Sequence, residues 1–322
     1  MKEFNILFLG GAKRVSLAES FIESGKKRGL AIKIFSYELD DQIPISFIGR
    51  VIIGKKWSDP AILSHLEEVV SKYNINALLP SVDPSTIIAS KFKSFTRTEC
   101  FVPVPSLALC NIFFNKQLAY DWCLQNQIPV PDAEIIFPLI AKPNKGSASI
   151  GIQKISNQEE FNSFKNQFNI NDYNIQRYID GIEFSVDLYV SSSNRTIACI
   201  PRLRLEVLGG ESIKSLTVRD NNIIALSQDL VAKSGLTGPL TIQFIQDKTT
   251  KEVFLMEVNP RFGGAVMCSI GAGADLPGFL LDDAVGIELI DQNHCWRSNV
   301  LMVRRFSEFY RELPINPHAD YN

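Results

Sequence analysis

Apolar positions along this chain alternate between two periods. Phe4-Asn-Ile-Leu-Phe-Leu9 is a short, nearly continuous apolar run ending at Gly10-Gly11. Leu17, Phe21 and Ile22 then recur at helical spacing between Val15 and Arg28, and Ala31-Ile-Lys-Ile-Phe35 is apolar again. This reads as strand, glycine turn, helix and strand, the opening of a parallel sheet. The rhythm continues with a predicted helix over 59–73, a buried strand at 77–79, a helix over 84–92 and a strand at 101–102. Residues 1–110 are therefore expected to form a Rossmann-like α/β domain.

Beyond that point the pattern changes. Asn115 to Gln127 reads as a helix capped by Asn115, stopped by Ile128-Pro-Val-Pro131. Short runs of antiparallel character follow at 134–137, 139–142, 151–155, 173–179, 183–190 and 196–203, interrupted by helices at 158–167 and 223–234. Gly238–Gln246 and Glu252–Val258, joined by turn residues 247–251, read as a hairpin, and Val300–Arg304 as a further strand. The second half is thus α+β, built mostly on antiparallel sheet. The sequence shows no internal repeat, low-complexity tract or long linker, so the lobes are expected to pack closely.

Composition narrows the partners. With 322 residues the chain exceeds one ordinary domain and can bury a sizeable core. Its 33 basic and 35 acidic residues leave no electrostatic footprint for nucleic acid or an anionic membrane, so the expected partner is small. No run reaches the length of a membrane span and the first segment lacks a secretory pattern. Six scattered cysteines without a C-x-x-C pair argue against a zinc site or a disulfide framework, and a cytoplasmic location is expected.

The candidate chemistry sits at the end of the hairpin. In Met256-Glu-Val-Asn-Pro-Arg261, period-two alternation puts Glu257 and Asn259 on one face, where Gln243 of the partner strand can lie beside them. Three oxygen-bearing side chains suit a hard cation such as Mg²⁺, held by one or two carboxylates plus substrate phosphates. Arg261, just past the strand, can reach a phosphoryl oxygen or a developing oxyanion. Spacing alone equally allows a solvated sheet face with a turn after it.

A second signal is Ile140-Ala-Lys-Pro-Asn-Lys-Gly-Ser-Ala-Ser-Ile-Gly151, a lysine at the end of an apolar strand followed by a loop of small residues. Such loops admit phosphates to backbone N–H groups and can act as lids. An ammonium in that place, Lys142, predicts an anionic partner. Two other motifs fail. Gly49–Lys56 has Walker-like spacing without its Ser/Thr and has a β-branched middle. Gly10-Gly11 lacks the dinucleotide fingerprint, with no obvious acidic residue to follow, so NAD binding is weakly supported.

Taken in order, Asn115–Tyr120, Ile128–Pro131, Ala141–Gly151, Ile175-Gln-Arg-Tyr-Ile-Asp-Gly-Ile-Glu-Phe-Ser-Val-Asp187, Gln243 and Met256–Arg261 resemble the ATP-grasp superfamily, nearest its carbamoyl-phosphate-synthase-like and biotin-carboxylase-like branch. The resemblance implies an N-terminal Rossmann-like domain (1–110) followed by a two-lobed module, a small lid lobe (111–180) and a large lobe with the metal and acceptor site (181–322). It implies ATP and Mg²⁺, or Mn²⁺ in its place. Lys116 and Lys142 would be the phosphate-binding cations, with Ser147 in the lid. Gln176, Arg177, Tyr178 and Ile179 would form the inter-lobe strand that meets adenine through backbone groups. Many relatives carry an acidic residue where this chain has Gln176-Arg177. Glu183 would hold the ribose hydroxyls, Gln243, Glu257 and Asn259 the metal, and Arg261 would stand near the transferred phosphate. Arg202 and Arg204 alternate on one side of a strand, either a solvated face or an anion site. Arg14 and Asp83, after N-terminal strand ends, are acceptor-site candidates whose plainer reading is a cap or turn role.

The implied activity is ATP-dependent ligation of a carboxylate to an amine, or to a thiol, through an acyl phosphate. Its substrates would be small molecules, and homodimers are common among such relatives. Phosphoryl transfer asks mainly for alignment and charge neutralisation, which suits a chain whose three histidines fall outside every motif. The alternatives are a nucleotide-binding regulatory or interaction protein that keeps the fold without turnover, and a dehydrogenase built on the N-terminal sheet.

Overall fold

A computed structural model describes residues 1–146 and 150–312. The N-terminal sheet takes β1 (Lys2–Leu9), β2 (Leu30–Glu38), β3 (Arg50–Ile53) and β4 (Ile75–Pro80) in the order β3-β2-β1-β4, all parallel. Helices α1 (Val15–Lys27), α2 (Ile62–Lys72) and α3 (Asp83–Phe95) make its crossovers. The continuous apolar run of β1 follows from burial on both faces. Phe4, Ile6 and Phe8 share a core with Leu17 and Phe21 of α1, whereas Leu7 and Leu9 join Leu66, Ile88 and Phe92 on the other side. The strand expected at 101–102 contributes a single parallel bridge, Phe101 to Ala77.

Helices α4 (Leu107–Phe114) and α5 (Lys116–Gln125) come next. Asn115 separates them, and its Oδ1 accepts from the N–H groups of Gln117 and Leu118, the cap expected for α5. The apolar stretch 134–137 is not a strand. Ile135 and Ile136 are more than half exposed, and among the described residues no sheet edge pairs with them. A β-like composition becomes a strand only where a ladder partner exists.

β5 (Leu139–Pro143), β6 (Gln153–Ile155) and β7 (Tyr173–Arg177) form a three-stranded antiparallel sheet in the order β6-β5-β7. With α6 (Gln158–Gln167) they close over a small core of Leu139, Ala141, Ile155, Phe161 and Phe164. The largest sheet is antiparallel and six-stranded, made of β8 (Gly181–Val190), β9 (Thr196–Leu208), β10 (Glu211–Thr217), β11 (Gly238–Asp247), β12 (Val253–Asn259) and β13 (Leu301–Val303). Its order is β12-β11-β8-β9-β10-β13. One face packs Phe184, Val186, Leu240, Ile242 and Leu255 against α4, α5 and α7 (Asn221–Ser234). Gly238 opens β11 at φ +85°, and a Cβ there would run into the carbonyl of Pro103, so this position requires glycine.

Two late helices, α8 (Met267–Gly271) and α9 (Leu276–Ala284), tie the large sheet to the N-terminal one. Leu276, Leu280 and Phe262 enter the core of β1 and α1, joined by Tyr189 from β8. Arg28, after α1, makes 2.7 Å ion pairs with both Asp275 and Asp282. Among the described residues no helix is long and apolar enough to cross a membrane.

Candidate active site

The second face of the six-stranded sheet is polar, and it faces both the three-stranded sheet and the N-terminal strand ends. Alternation along β8 presents Glu183, Ser185 and Asp187, and the neighbouring strands add Arg202 and Arg204, Thr241 and Gln243, then Glu257 and Asn259. Gln243 lies directly opposite Glu257, and Thr241 opposite Asn259. This placement depends on a β-bulge. Val253 and Leu255 share the odd parity of Glu257 yet are buried in the core, so strict alternation through β12 would bury the carboxylate. The register shifts between Gln243 and Phe244, leaving Met256 without its own partner, and both Met256 and Glu257 reach the polar side.

Two adjoining cavities open over this face. The smaller, of about 150 Å³, lies between the two antiparallel sheets and is lined by Lys116, Lys142, Glu183, Gln243, Met256 and Glu257, among others. Lys142 is 5% exposed. No carboxylate lies within ion-pair distance of its ammonium among the described residues; Nζ instead donates to Gln176 Oε1 at 3.2 Å, with Met256 Sδ at 3.9 Å. The anionic partner expected from sequence is thus replaced by an amide oxygen and a thioether. Burial pushes the Lys142 pKa down to about 8, with Lys116 adding to the fall, while Glu257 and Glu183 oppose it. Lys116 Nζ donates to the carbonyl of Gly146 at 2.8 Å, at the start of the small-residue loop. Ser147 lies outside the described residues. Gln243 and Glu257 have no hydrogen-bond partner for their side chains among the described residues.

The inter-lobe segment borders the same place. Gln176 and Ile179 are buried, with the amide oxygen of Gln176 turned to Lys142. Arg177 and Tyr178 spend their N–H groups on the carbonyls of Asp132 and Pro138, both at 2.9 Å, and Arg177 Nε pairs with Asp132 at 2.9 Å. Those two N–H groups are therefore committed within the protein. Glu183 Oε2 lies 3.0 Å from Arg204 Nε, a proximity of charges off line for a hydrogen bond, since that N–H finds no acceptor. Burial lowers the Arg204 pKa, and Glu183 works against that shift.

The larger cavity, of about 350 Å³, extends from Glu257 and Asn259 to the N-terminal domain, where Lys13, Arg14, Ser81 and Asp83 complete its wall. Asp83 neither caps nor stands free: it takes Nε of Arg261 at 2.6 Å and NH2 at 2.5 Å. Arg261 also donates to Asn259 Oδ1 at 3.3 Å, so one guanidinium links the hairpin to the start of α3. Arg14 makes no side-chain cap bond. Its NH1 and NH2 donate to the carbonyls of Gly263 at 3.0 Å and Ser81 at 2.9 Å. Burial, and then the nearby Arg261, bring its pKa down to about 10. Arg202 is not on a solvated face: it is 2% exposed and bonded through Nε to Asp187 Oδ2 at 2.8 Å.

Several residues in and around the site carry little signal in the sequence. Asp187 is 1% exposed and gathers Arg202, Ser269 Oγ at 2.7 Å and Thr241 Oγ1 at 3.2 Å. The polar alternation Glu183-x-Ser185-x-Asp187 within an apolar strand is the one pattern that points to it. Glu211, at the β9–β10 turn, pairs with Arg304 at 2.6 Å, a contact no local pattern reveals. Glu38, at the end of β2, is the acidic residue that was not obvious in the dinucleotide pattern. It accepts from Ser36 Oγ at 2.6 Å, and burial raises its pKa against the opposing pull of Ser36 and the N–H groups of Gly11 and Ala12, so the chain's own carboxylate lies beside the turn after β1.

Comparison with known proteins fits this geometry. Residues 170–308 match the family model described as ATP-grasp in the biosynthetic pathway with Ter operon. No curated protein matches the sequence. The fold is similar to the biotin carboxylase domain of Hydrogenobacter thermophilus 2-oxoglutarate carboxylase, solved with MgADP, ADP and bicarbonate, at TM-score 0.72 and 14% identity over 94% of this chain and 74% of that one. It is similar to Staphylococcus aureus N5-carboxyaminoimidazole synthetase with ADP (TM-score 0.70, 14% identity, 90% and 80% covered). It is also similar to the L-amino acid ligase of Bacillus licheniformis (TM-score 0.68, 15% identity, 90% and 76% covered). Residues 170–308 thus carry the ATP-grasp match, and the fold as a whole is like that of these proteins, a mixed α/β chain with an N-terminal parallel sheet and antiparallel sheets beyond it.

Proposed function

We propose that this chain is an ATP-dependent ligase that joins a small carboxylate to an amine, or to a thiol, through an acyl phosphate. The observation that carries the reading is the gathering of Lys116, Lys142, Glu183, Gln243 and Glu257 around one cavity that continues, past Asn259 and Arg261, into a second. A buried ammonium with no carboxylate beside it among the described residues, as at Lys142, fits a triphosphate that supplies the missing anion. One carboxylate and two amides, Glu257, Gln243 and Asn259, fit Mg²⁺, which completes its shell with phosphate oxygens and water. Bound there, the ion would neutralise phosphate charge and polarise the phosphoryl group. The neighbours solved with ADP or MgADP support the same reading.

The residues then divide the work. Lys116 and Lys142 draw the phosphates into the smaller cavity, and Glu183 stands where ribose hydroxyls would be held. The acceptor, in the larger cavity, presents a carboxylate oxygen to the γ-phosphorus; the new O–P bond forms as the bond to ADP breaks. Arg261, fixed by Asp83, is placed to meet the charge on the transferred group. An amine nitrogen then attacks the acyl carbon, phosphate departs, and a proton leaves the nitrogen.

The test is release of ADP and phosphate from Mg-ATP against a panel of carboxylates, with and without amines, in wild type and Glu257→Ala. The variant is expected to fold normally and to lose turnover by orders of magnitude, because charge stabilisation in a closed site is worth several kcal/mol. Wild-type rates in the variant would refute the assignment.

A further inference from the structure

Four guanidinium groups line the larger cavity, and three are matched by carboxylates: Arg202 by Asp187, Arg204 by Glu183 and Arg261 by Asp83. Arg14 is the exception. It is held by two carbonyl oxygens, and among the described residues no carboxylate lies within ion-pair distance of it. Carbonyls orient a guanidinium without cancelling its charge. Glu211, on the same wall, is already engaged by Arg304 at 2.6 Å, and Lys13 adds a second cation next to Arg14. The same cavity also carries the open carboxylate Glu257 with Asn259. One cavity therefore holds a guanidinium without a carboxylate partner, with a second cation beside it, together with the residues assigned to phosphoryl transfer.

We propose that Arg14, assisted by Lys13, recognises a second anionic group on the acceptor, so that the acceptor is a small dianion. One carboxylate would be activated beside Glu257 and Arg261 while the other anion rests on Arg14. The inference builds on the ligase reading above and specifies its substrate class. The guanidinium is pre-set by Gly263 and Ser81, one from each side of the domain junction, so it can offer its fork without further ordering. About 350 Å³ accommodates on the order of ten non-hydrogen atoms at the ~30 Å³ that a water occupies in the liquid, which suits a short dicarboxylate or phosphonocarboxylate.

The experiment measures ADP release from Mg-ATP with succinate, glutarate, glutamate and 3-phosphonopropionate against propionate and butyrate, each with and without ammonia. Nucleotide affinity is followed separately by displacement of a fluorescent ATP analogue. The expected result is at least a tenfold preference for dianions over monoanions of equal length. Arg14→Gln is expected to cut kcat/KM for dianions by about 10- to 100-fold, mainly through KM, with Mg-ATP affinity within about twofold of wild type. Arg14→Lys is expected to recover part of the loss. The dicarboxylates and the phosphonate compared with each other identify which anion the site takes. Equal use of monoanions, an equal loss for both classes in Arg14→Gln, or no response to any dianion while Mg-ATP is bound would overturn the proposal. Absence of Mg-ATP binding by wild type would instead overturn the ligase reading. If Arg14→Gln does not fold, the wild-type charge preference decides alone.

Discussion

Raising the pH from about 7 to about 9 removes the proton from Lys142, and with it the charge that a nucleotide phosphate would meet in the smaller cavity. Burial brings this lysine to about 8, with Lys116 adding to the fall and Glu257 and Glu183 resisting it. A bound phosphate would hold the proton, so above about pH 8 the free protein must take one up to bind. Affinity for Mg-ATP then falls about tenfold between pH 7 and pH 9, or about 1.4 kcal/mol. Folding stability moves the other way. Between about 8 and 10.5 the unfolded chain carries a proton on this lysine that the folded chain lacks, so the nucleotide-free protein gains stability as pH rises through that window. The full span corresponds to about 3 kcal/mol, a cost of burying the ammonium that is present in full below about pH 8. Titrating a fluorescent ATP analogue with Mg²⁺ across pH 7 to 9 measures the first effect. Urea unfolding of wild type and Lys142→Met across pH 7 to 10 isolates the second. An affinity that stays flat, or a variant with the same pH slopes as wild type, would refute the reasoning.

Two other perturbations test the site from different sides. Asp187→Ala strands the buried Arg202 guanidinium along with Thr241 and Ser269, so denaturant melts are expected to show a loss of about 3–5 kcal/mol; a loss under about 1 kcal/mol would mean the charge finds water or another partner. Arg261→Lys exchanges a two-point grip on Asp83 for a single charge, and steady-state ADP release at saturating Mg-ATP is expected to fall at least tenfold with the fold retained, so an unchanged rate would remove Arg261 from the mechanism.

Local pattern determines a good deal of this protein. The continuous run of β1, the helical stripe of α1, the Asn115 cap and the hairpin of β11 and β12 all follow from interactions within a few residues or one pleat, so they are legible in the amino-acid sequence alone. The ordered motifs also carry the fold, because each marks a local requirement such as a small-residue loop or a polar strand end. The stretch 134–137 shows where this ends: its residues suit a strand, but whether a ladder partner lies beside them is not a local property.

Partners distant in sequence were decided only by the tertiary structure. Asp83 meets Arg261 across 178 positions, Arg14 meets Gly263 across 249, and Glu211 finds Arg304 at 93, so whether a given charge is free or spent depends on how the sheets stack. The same holds for burial, which turned Arg202 into an interior ion pair and brought the Lys142 pKa down. Even the placement of Glu257 needed more than alternation, since its parity matches core residues Val253 and Leu255 and a bulge sends it to the polar face. The order of residues decides which side chains are available and which of them share a face of an element. Long-range packing sets the dielectric around each charge and the opposing charges within reach, and on those the chemistry depends.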